Sequence, residues 1–278
     1  MVRVRTASVD RPTVDGFGYE WTKFDQSRAD PAELERLFGE YFALFPWDAV
    51  GPTAVGFDLG CGSGRWARLA AARTAGVVGV DASAAALRVA KTNAGCPAVL
   101  ATAGALPFRP GSLDFGYSLG VLHHVPDTGA GLADAVSTLK PGAPFLVYLY
   151  YAFDGRPRWF RTLWRISDAV RRCVSRAPAP ARYAISQLVA VFVYLPLSRA
   201  ARLLERRGRD VASMPLSVYR DRSLYVMRTD ALDRLGTRLE KRFTRDEVVE
   251  LLEEAGLVGV RVSPDAPYWC AIGFKPRT

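Results

Sequence analysis

With 278 residues, 49% of them hydrophobic and 23% charged, the chain has room for one large domain or a domain with a substantial insertion, and its composition excludes a disordered protein. Its four cysteines, Cys61, Cys96, Cys173 and Cys270, form no C-x-x-C pair, which argues against a zinc site or a disulfide framework and for a reducing, cytoplasmic compartment. The net charge of +9 is uneven: residues 152–242 carry 20 Lys and Arg against 8 Asp and Glu, and the remainder 17 against 20. Such a basic segment can meet nucleic acid, an anionic membrane or an acidic acceptor, or can serve only as a solubilising face.

Met1-Val2-Arg3-Val4-Arg5 is basic, but no apolar signal core follows it, so a secretory signal is not expected. Residues 1–30 show no clear periodicity. They contain Gly16-Phe17-Gly18-Tyr19-Glu20-Trp21, whose aromatics suggest either a segment packed on the surface or a cap over a ligand. Asp30-Pro31 reads as a helix start, with Asp30 as N-cap and Pro31 at the first helical position. Leu34, Leu37, Phe38, Tyr41 and Phe42 follow at helical spacing. Pro46 and Gly51-Pro52 close that helix.

The short apolar run Ala54-Val55-Gly56-Phe57 then enters Asp58-Leu59-Gly60-Cys61-Gly62-Ser63-Gly64, and Ala67–Ala72 continues as helix. A strand turning through glycines into a helix is a nucleotide-binding arrangement, because glycine admits unusual backbone angles and lets a ligand approach the main chain. Gly76–Asp81 reads as a buried strand ending in an acid 17 residues beyond Gly64. An acid there can accept hydrogen bonds from ribose hydroxyls, or can merely cap the helix of residues 83–93. Strands follow at 98–102 and 112–118, then a helix at 128–139 and a strand at 144–151. Alternating units of this kind build a parallel, doubly wound sheet with its ligand at the carboxyl ends of the strands.

The spacing Asp58-x-Gly60-x-Gly62-x-Gly64 resembles the first motif of class I S-adenosylmethionine-dependent methyltransferases. Leu106-Pro107-Phe108, Leu113-Asp114-Phe115 and Val121-Leu122-His123-His124-Val125-Pro126-Asp127 are similar to the ubiquinone/menaquinone-biosynthesis-like group of that family, also known as methyltransferase type 11. The resemblance runs from about residue 53 to 151. It implies an α/β, doubly wound, Rossmann-like fold: a seven-stranded, mostly parallel sheet with a helical insertion between strands five and six. It further implies S-adenosylmethionine as cofactor. Asp58 would help hold the ammonium group, with Gly60, Cys61, Gly62 and Gly64 under the methionine part. Asp81 and Ala82 would meet the ribose, and Thr102, Ala103, Ser118 and Leu119 complete the expected cofactor set. Relatives usually carry an acid at the position of Thr102; a neutral hydroxyl still accepts a hydrogen bond worth about 0.5–1.5 kcal/mol.

The expected organisation is a cap segment over 1–52, a cofactor-binding core over 53–151, an insertion over 152–242, and a helix and hairpin over 243–278 that complete the sheet. Thr244 and Glu247 form a capping-box pattern before Val248, Leu251 and Leu252, and Gly256 ends that helix. Final strands are expected at 257–263 and 268–274. In the insertion, residues 183–197 are almost wholly apolar, and fifteen residues are short of the roughly 20 a bilayer requires. This run can be buried as core or lid, line a pocket for a lipophilic acceptor, or make peripheral contact with a membrane over 183–199.

Methyl transfer from a sulfonium needs an aligned acceptor and, for a hydroxyl or carbon acid, a base. His124 and His123 are the candidates, although relatives with different acceptors share the pair. Tyr19, Trp21, Tyr150 and Tyr151 are expected along the acceptor. The Gly-Tyr-Glu-Trp and Pro-Tyr-Trp-Cys stretches look like methyltransferases of bacterial glycan and natural-product pathways, which points to a small or lipophilic acceptor methylated on O or C. A nucleic-acid acceptor is not expected, because Ser118-Leu119-Gly120-Val121 stands where such enzymes carry Asn/Asp-Pro-Pro-Tyr/Phe. A protein that uses the cofactor without methylating is the third reading. No metal is expected, and the oligomeric state is not legible.

Overall fold

Seven strands pair into one sheet in the computed structural model, which describes residues 9–153, 155–265 and 268–277. They are β1 (Val55–Leu59), β2 (Gly76–Asp81), β3 (Ala98–Leu100), β4 (Phe115–Leu119), β5 (Pro144–Tyr148), β6 (Val258–Val262) and β7 (Cys270–Phe274), in the order β3-β2-β1-β4-β5-β7-β6. The first five run parallel, and β7 runs antiparallel to both β5 and β6. Chain order reverses beside β1, so the carboxyl ends of β1 and β4 border the crevice where such sheets take a ligand. Glycines at the centre set how closely strands and aromatics approach: a Cβ at Gly56 would overlap the Phe115 ring, and one at Gly116 the Phe57 ring. The basic segment 1–5 and residues 266 and 267 lie outside the described residues.

The helices of the chain are α1 (Arg11–Lys23), α2 (Pro31–Tyr41), α3 (Trp47–Val50), α4 (Arg65–Ala71), α5 (Ala84–Ala94) and α6 (Thr128–Ser137). After β5 come α7 (Arg158–Val174), α8 (Ala179–Val189), α9 (Leu195–Arg206), α10 (Leu224–Gly236) and α11 (Arg245–Glu254). The chain forms two units, one of residues 1–26, 34–152 and 239–278, the other of residues 27–33 and 153–238.

In the first unit, both faces of the sheet are covered, and its core includes Phe57, Val80, Leu122, Leu132, Phe145, Leu149 and Leu252. α11 starts on the expected capping box, with Thr244 and Glu247 each satisfying the other's main-chain N–H. α1 departs from the aperiodic segment expected at 1–30. Asp10 caps it by accepting the Thr13 N–H at 3.2 Å, and Pro12 occupies its first turn. Gly16 and Gly18 hide this helix from propensity, since each costs about 1 kcal/mol in a helix interior. Gly18 is required, because a Cβ there would collide with Ser83 Oγ.

The second unit is helical. α10 packs against α7 and α8 and buries Val226, Met227, Ala231, Leu232 and Leu235. Arg171 is buried, donating to Asp168 Oδ1 at 2.7 Å and to the Thr237 carbonyl at 2.8 Å. Burial alone would raise the Asp168 carboxyl, but hydrogen bonds from Arg171 and Arg172 outweigh it and hold the group below its ordinary range. The apolar run expected as a fifteen-residue helix is longer. α8 and α9 join through a π turn at Ala190–Tyr194 into one helix, Ala179–Arg206, of 28 residues. Pro196 has no N–H to donate back into the ladder, and the wider turn lies just before it. The π turn also keeps Ser186, Ala190, Tyr194 and Ser198 on the packed side at four-residue steps.

Candidate functional site

The glycine loop leaves β1 with positive φ at Gly60 (80°), Gly62 (54°) and Gly64 (76°). Neighbours as well as angles demand glycine here. A Cβ on Gly60 would overlap the Val121 side chain, and one on Gly62 would lie 2.7 Å from the Trp21 ring. The loop is pinned to β2. Gly60 and Cys61 donate to the Val80 carbonyl at 2.7 and 3.0 Å, and Gly62 donates to Asp81 Oδ2 at 2.9 Å.

A cavity of about 120 Å³ lies over the carboxyl ends of β1, β2 and β4. Its floor is Leu59, Gly60, Asp81, Ala82, Ala101, Thr102, Ala103 and Leu119. Its far wall is α1 with its cap: Asp10, Thr13, Val14, Phe17 and Trp21, at helical spacing. His124, Val125 and Pro126 close the third side. Of the expected cofactor residues, Gly60, Asp81, Ala82, Thr102, Ala103 and Leu119 meet in this one cavity.

Asp58, Cys61, Gly62, Gly64 and Ser118 do not line it. In the strand β1 alternate side chains face opposite ways, and Asp58 is turned inward, 1% exposed, with Oδ2 lacking a hydrogen-bond partner among the described residues. The Tyr117 hydroxyl lies beside the carboxyl without completing a bond of good geometry. Burial pushes Asp58 up to about 8; Tyr117 and Arg65 oppose the rise and the Asp81 charge adds to it. The carboxyl expected at the ammonium group thus stands off the cavity wall, one residue before the lining Leu59. Cys61 is buried against Gly79 and its thiol is pushed up by burial, while Ser118 Oγ donates to the Leu59 carbonyl at 3.0 Å. Gly64 caps α4 and abuts Ala90.

Asp81 braces the main chain on either side of it and also lines the cavity. Its Oδ1 accepts the Ser83 N–H at 2.7 Å and its Oδ2 the Gly62 N–H, and the carboxyl still faces the cavity. Burial raises its pKa, and these main-chain N–H groups pull the other way. Each carboxylate oxygen keeps a further lone pair for a ligand hydroxyl.

The two histidines part company. His124 lines the cavity, with its Nδ1 2.6 Å from the Leu239 carbonyl and its ring against Phe17. A carbonyl only accepts, so Nδ1 carries the proton of the neutral ring and Nε2 is its basic nitrogen. His123 does not reach the cavity. It is fully buried, stacked on Tyr150 at 3.8 Å, and neither ring nitrogen has a partner among the described residues. Burial holds its pKa well below the ordinary histidine value. In this structure its ring packs between those of Tyr150 and His124.

Trp21 lines the cavity; Tyr19, Tyr150 and Tyr151 do not. Tyr19 sits two residues from both Phe17 and Trp21, on the other side of α1, beside Lys23. Tyr150 backs His123 and meets the Arg242 guanidinium, and Tyr151 bridges to Phe243 and packs on Tyr268. Asp10, Thr13 and Val14 line the cavity without having been assigned to it from the sequence, whereas Phe17 belongs to the aromatic stretch for which a cap over a ligand was one of two readings. Their signal was present in Asp10-Arg11-Pro12, the same start as Asp30-Pro31.

Residues 57–147 match the sequence profile of a family described as a methyltransferase domain. That stretch carries the glycine loop, Asp81, Thr102 and His124. It is a methyltransferase domain. The chain is thus an S-adenosylmethionine-dependent methyltransferase. Among solved structures, the methyltransferase is similar in fold to a possible exported protein of Bordetella parapertussis (TM-score 0.53, 16% identity, covering 93% of this chain and 79% of that one). It is similar also to a chain in the complex of the Haloferax volcanii Trm112 methyltransferase activator with a proposed methyltransferase (0.52, 14%, 97% and 100%). A third is a proposed O-methyltransferase of Nostoc punctiforme (0.50, 13%, 92% and 60%). At these identities the likeness is one of fold.

Proposed function

We propose that the enzyme transfers a methyl group to an oxygen or carbon acid of a small, largely apolar acceptor, with His124 as general base. The observation that supports this is the single imidazole in an otherwise mainly apolar cavity, its tautomer set by the Leu239 carbonyl. The motifs around Leu106-Pro107-Phe108 and His123-His124 support membership of the ubiquinone/menaquinone-biosynthesis-like group.

S-adenosylmethionine supplies an electrophilic methyl group on a sulfonium, so the leaving sulfide needs no acid. What remains for the protein is to bind, orient and deprotonate. Asp81 would hold the ribose hydroxyls through its remaining lone pairs. Ala82, Ala103 and Leu119 offer apolar surface to the adenine ring, and Thr102 offers a neutral acceptor. The main chain at Gly60 is the part of the loop open to the cavity. His124 Nε2 would take the proton of the acceptor O–H or C–H, and the Leu239 carbonyl would stabilise the resulting imidazolium. Phe17, Val125 and Pro126 keep water from competing for the base.

The test measures methyl transfer to a panel of apolar hydroxyl and carbon-acid acceptors and to DNA and RNA oligonucleotides, for the wild type and for His124→Gln. A general base contributes about 10²- to 10⁴-fold, so the variant should lose at least about a hundredfold in kcat with product-cofactor affinity unchanged. Transfer confined to oligonucleotides, or full activity in the variant, refutes the proposal.

A further inference from the structure

The second unit leaves two helical faces without cover. On α7, Trp159, Leu163, Ile166 and Val170 follow at i, i+4, i+7 and i+11, and are 46–60% exposed. On the long helix Ala179–Arg206, Leu188 is 57% and Phe192 72% exposed. Side chains of this size rarely stand in water as ordered strips. The packed sides of both helices are elsewhere: α7 turns Asp168, Arg171 and Val174 inward, and the long helix turns Ser186, Ala190 and Tyr194.

Charge identifies the occupant. Arg158, Arg161, Arg165 and Arg172 form a second stripe on α7, all exposed and more than a third of a turn around the helix from the apolar one. The one acid of α7, Asp168, is buried and held by Arg171 and Arg172, so the exposed side of this helix carries cations only. An apolar strip with Trp at one end, on a helix whose other exposed side carries arginines and no acid, suits a surface with an anionic layer above an apolar one. Arginine can lay its stem along the apolar zone and keep its head among anionic groups. A nucleic acid would satisfy the arginines and leave the apolar strips wet.

We propose that α7 and the helix Ala179–Arg206 dock the enzyme on the surface of an anionic lipid bilayer. The contact is peripheral. By length and composition the 28-residue helix could cross a bilayer, with an 18-residue window of mean hydropathy 1.4. However, it is built into the unit: Arg182 donates to the Gly236 carbonyl at 2.9 Å, Arg228 to Gln187 at 2.5 Å, and Arg199 to the Arg220 carbonyl at 2.9 Å. Crossing would strip these contacts and leave the charged side of α10 uncovered. No cavity residue takes part, so this inference stands apart from the identity of the acceptor.

Flotation of the full chain with vesicles tests it. The wild type should rise with phosphatidylcholine vesicles containing phosphatidylglycerol, at least about tenfold more than with phosphatidylcholine alone, and added salt should weaken binding. Leu188→Ser with Phe192→Ser, and separately Trp159→Ser with Ile166→Ser, should each lower binding at least about tenfold. Arg161→Gln with Arg165→Gln should abolish the preference for anionic vesicles. Circular dichroism and calorimetric binding of the demethylated cofactor confirm that each variant is folded. A wild type that stays at the bottom of both gradients overturns the proposal, as do variants that float undiminished. So does a wild-type dimer in sedimentation that these substitutions convert to monomer, because a second copy would then cover the strips.

Discussion

Asp58 offers a sharp test, because its burial makes a prediction of definite sign. Its carboxyl titrates at about 8 in the folded chain and at about 3.9 in an unfolded one. Between those limits the native state holds a proton that the unfolded state has lost. Native stability is therefore highest below pH 4 as far as this group is concerned, and falls as pH rises, by about 1.4 kcal/mol per pH unit, until it levels off near pH 8. The full penalty is on the order of 5 kcal/mol. Asp58→Asn removes the titration. Any packing cost of the amide beside Tyr117 does not depend on pH, so it shifts the whole curve and leaves the slope difference intact. Urea unfolding of both proteins from pH 5 to pH 9 should show the variant gaining on the wild type by about 4 kcal/mol between pH 5 and pH 8, then running parallel. Parallel curves throughout would refute the burial argument.

Two further substitutions probe the cavity floor. Asp81→Asn replaces a charged acceptor of the Ser83 and Gly62 N–H groups with an amide that also presents a donor; calorimetry should show affinity for the demethylated cofactor reduced about tenfold to a hundredfold, since a hydrogen bond to a charged group is worth about 1.5–3 kcal/mol, and unchanged affinity contradicts the role given to Asp81. Gly60→Ala forces a side chain into a left-handed φ and against Val121, so urea unfolding should show a loss of more than about 2 kcal/mol. Val121→Ala in the same chain should recover part of that loss, and no recovery would mean that backbone strain alone is responsible.

Much of this fold was legible because its signals are local. Apolar runs bounded by glycine mark β1, β2 and β5, and Thr244 with Glu247 marks the start of α11. Asp81 was legible for the same reason: a strand ending in an acid can be read from consecutive residues. α1 was not. Its glycines argue against a helix, and the reason for Gly18 is a clash with Ser83, which is 65 positions away in the chain. The length of helix Ala179–Arg206 was hidden by Pro196, which ordinarily ends a helix but here follows a π turn.

Chemistry-bearing residues divide along the same line. Composition, spacing and motif determined that this chain carries a methyltransferase domain, because the glycine loop and the acid after it are a property of neighbouring residues. Only the tertiary structure decided which side chains reach the cavity. Asp58 and His123 occupy motif positions and yet face inward, and Asp10 and Thr13 belong to no motif and yet face the ligand space. Motif spacing specifies the backbone path. The direction of a side chain, and the solvation that sets its charge, depend on what distant segments pack against it.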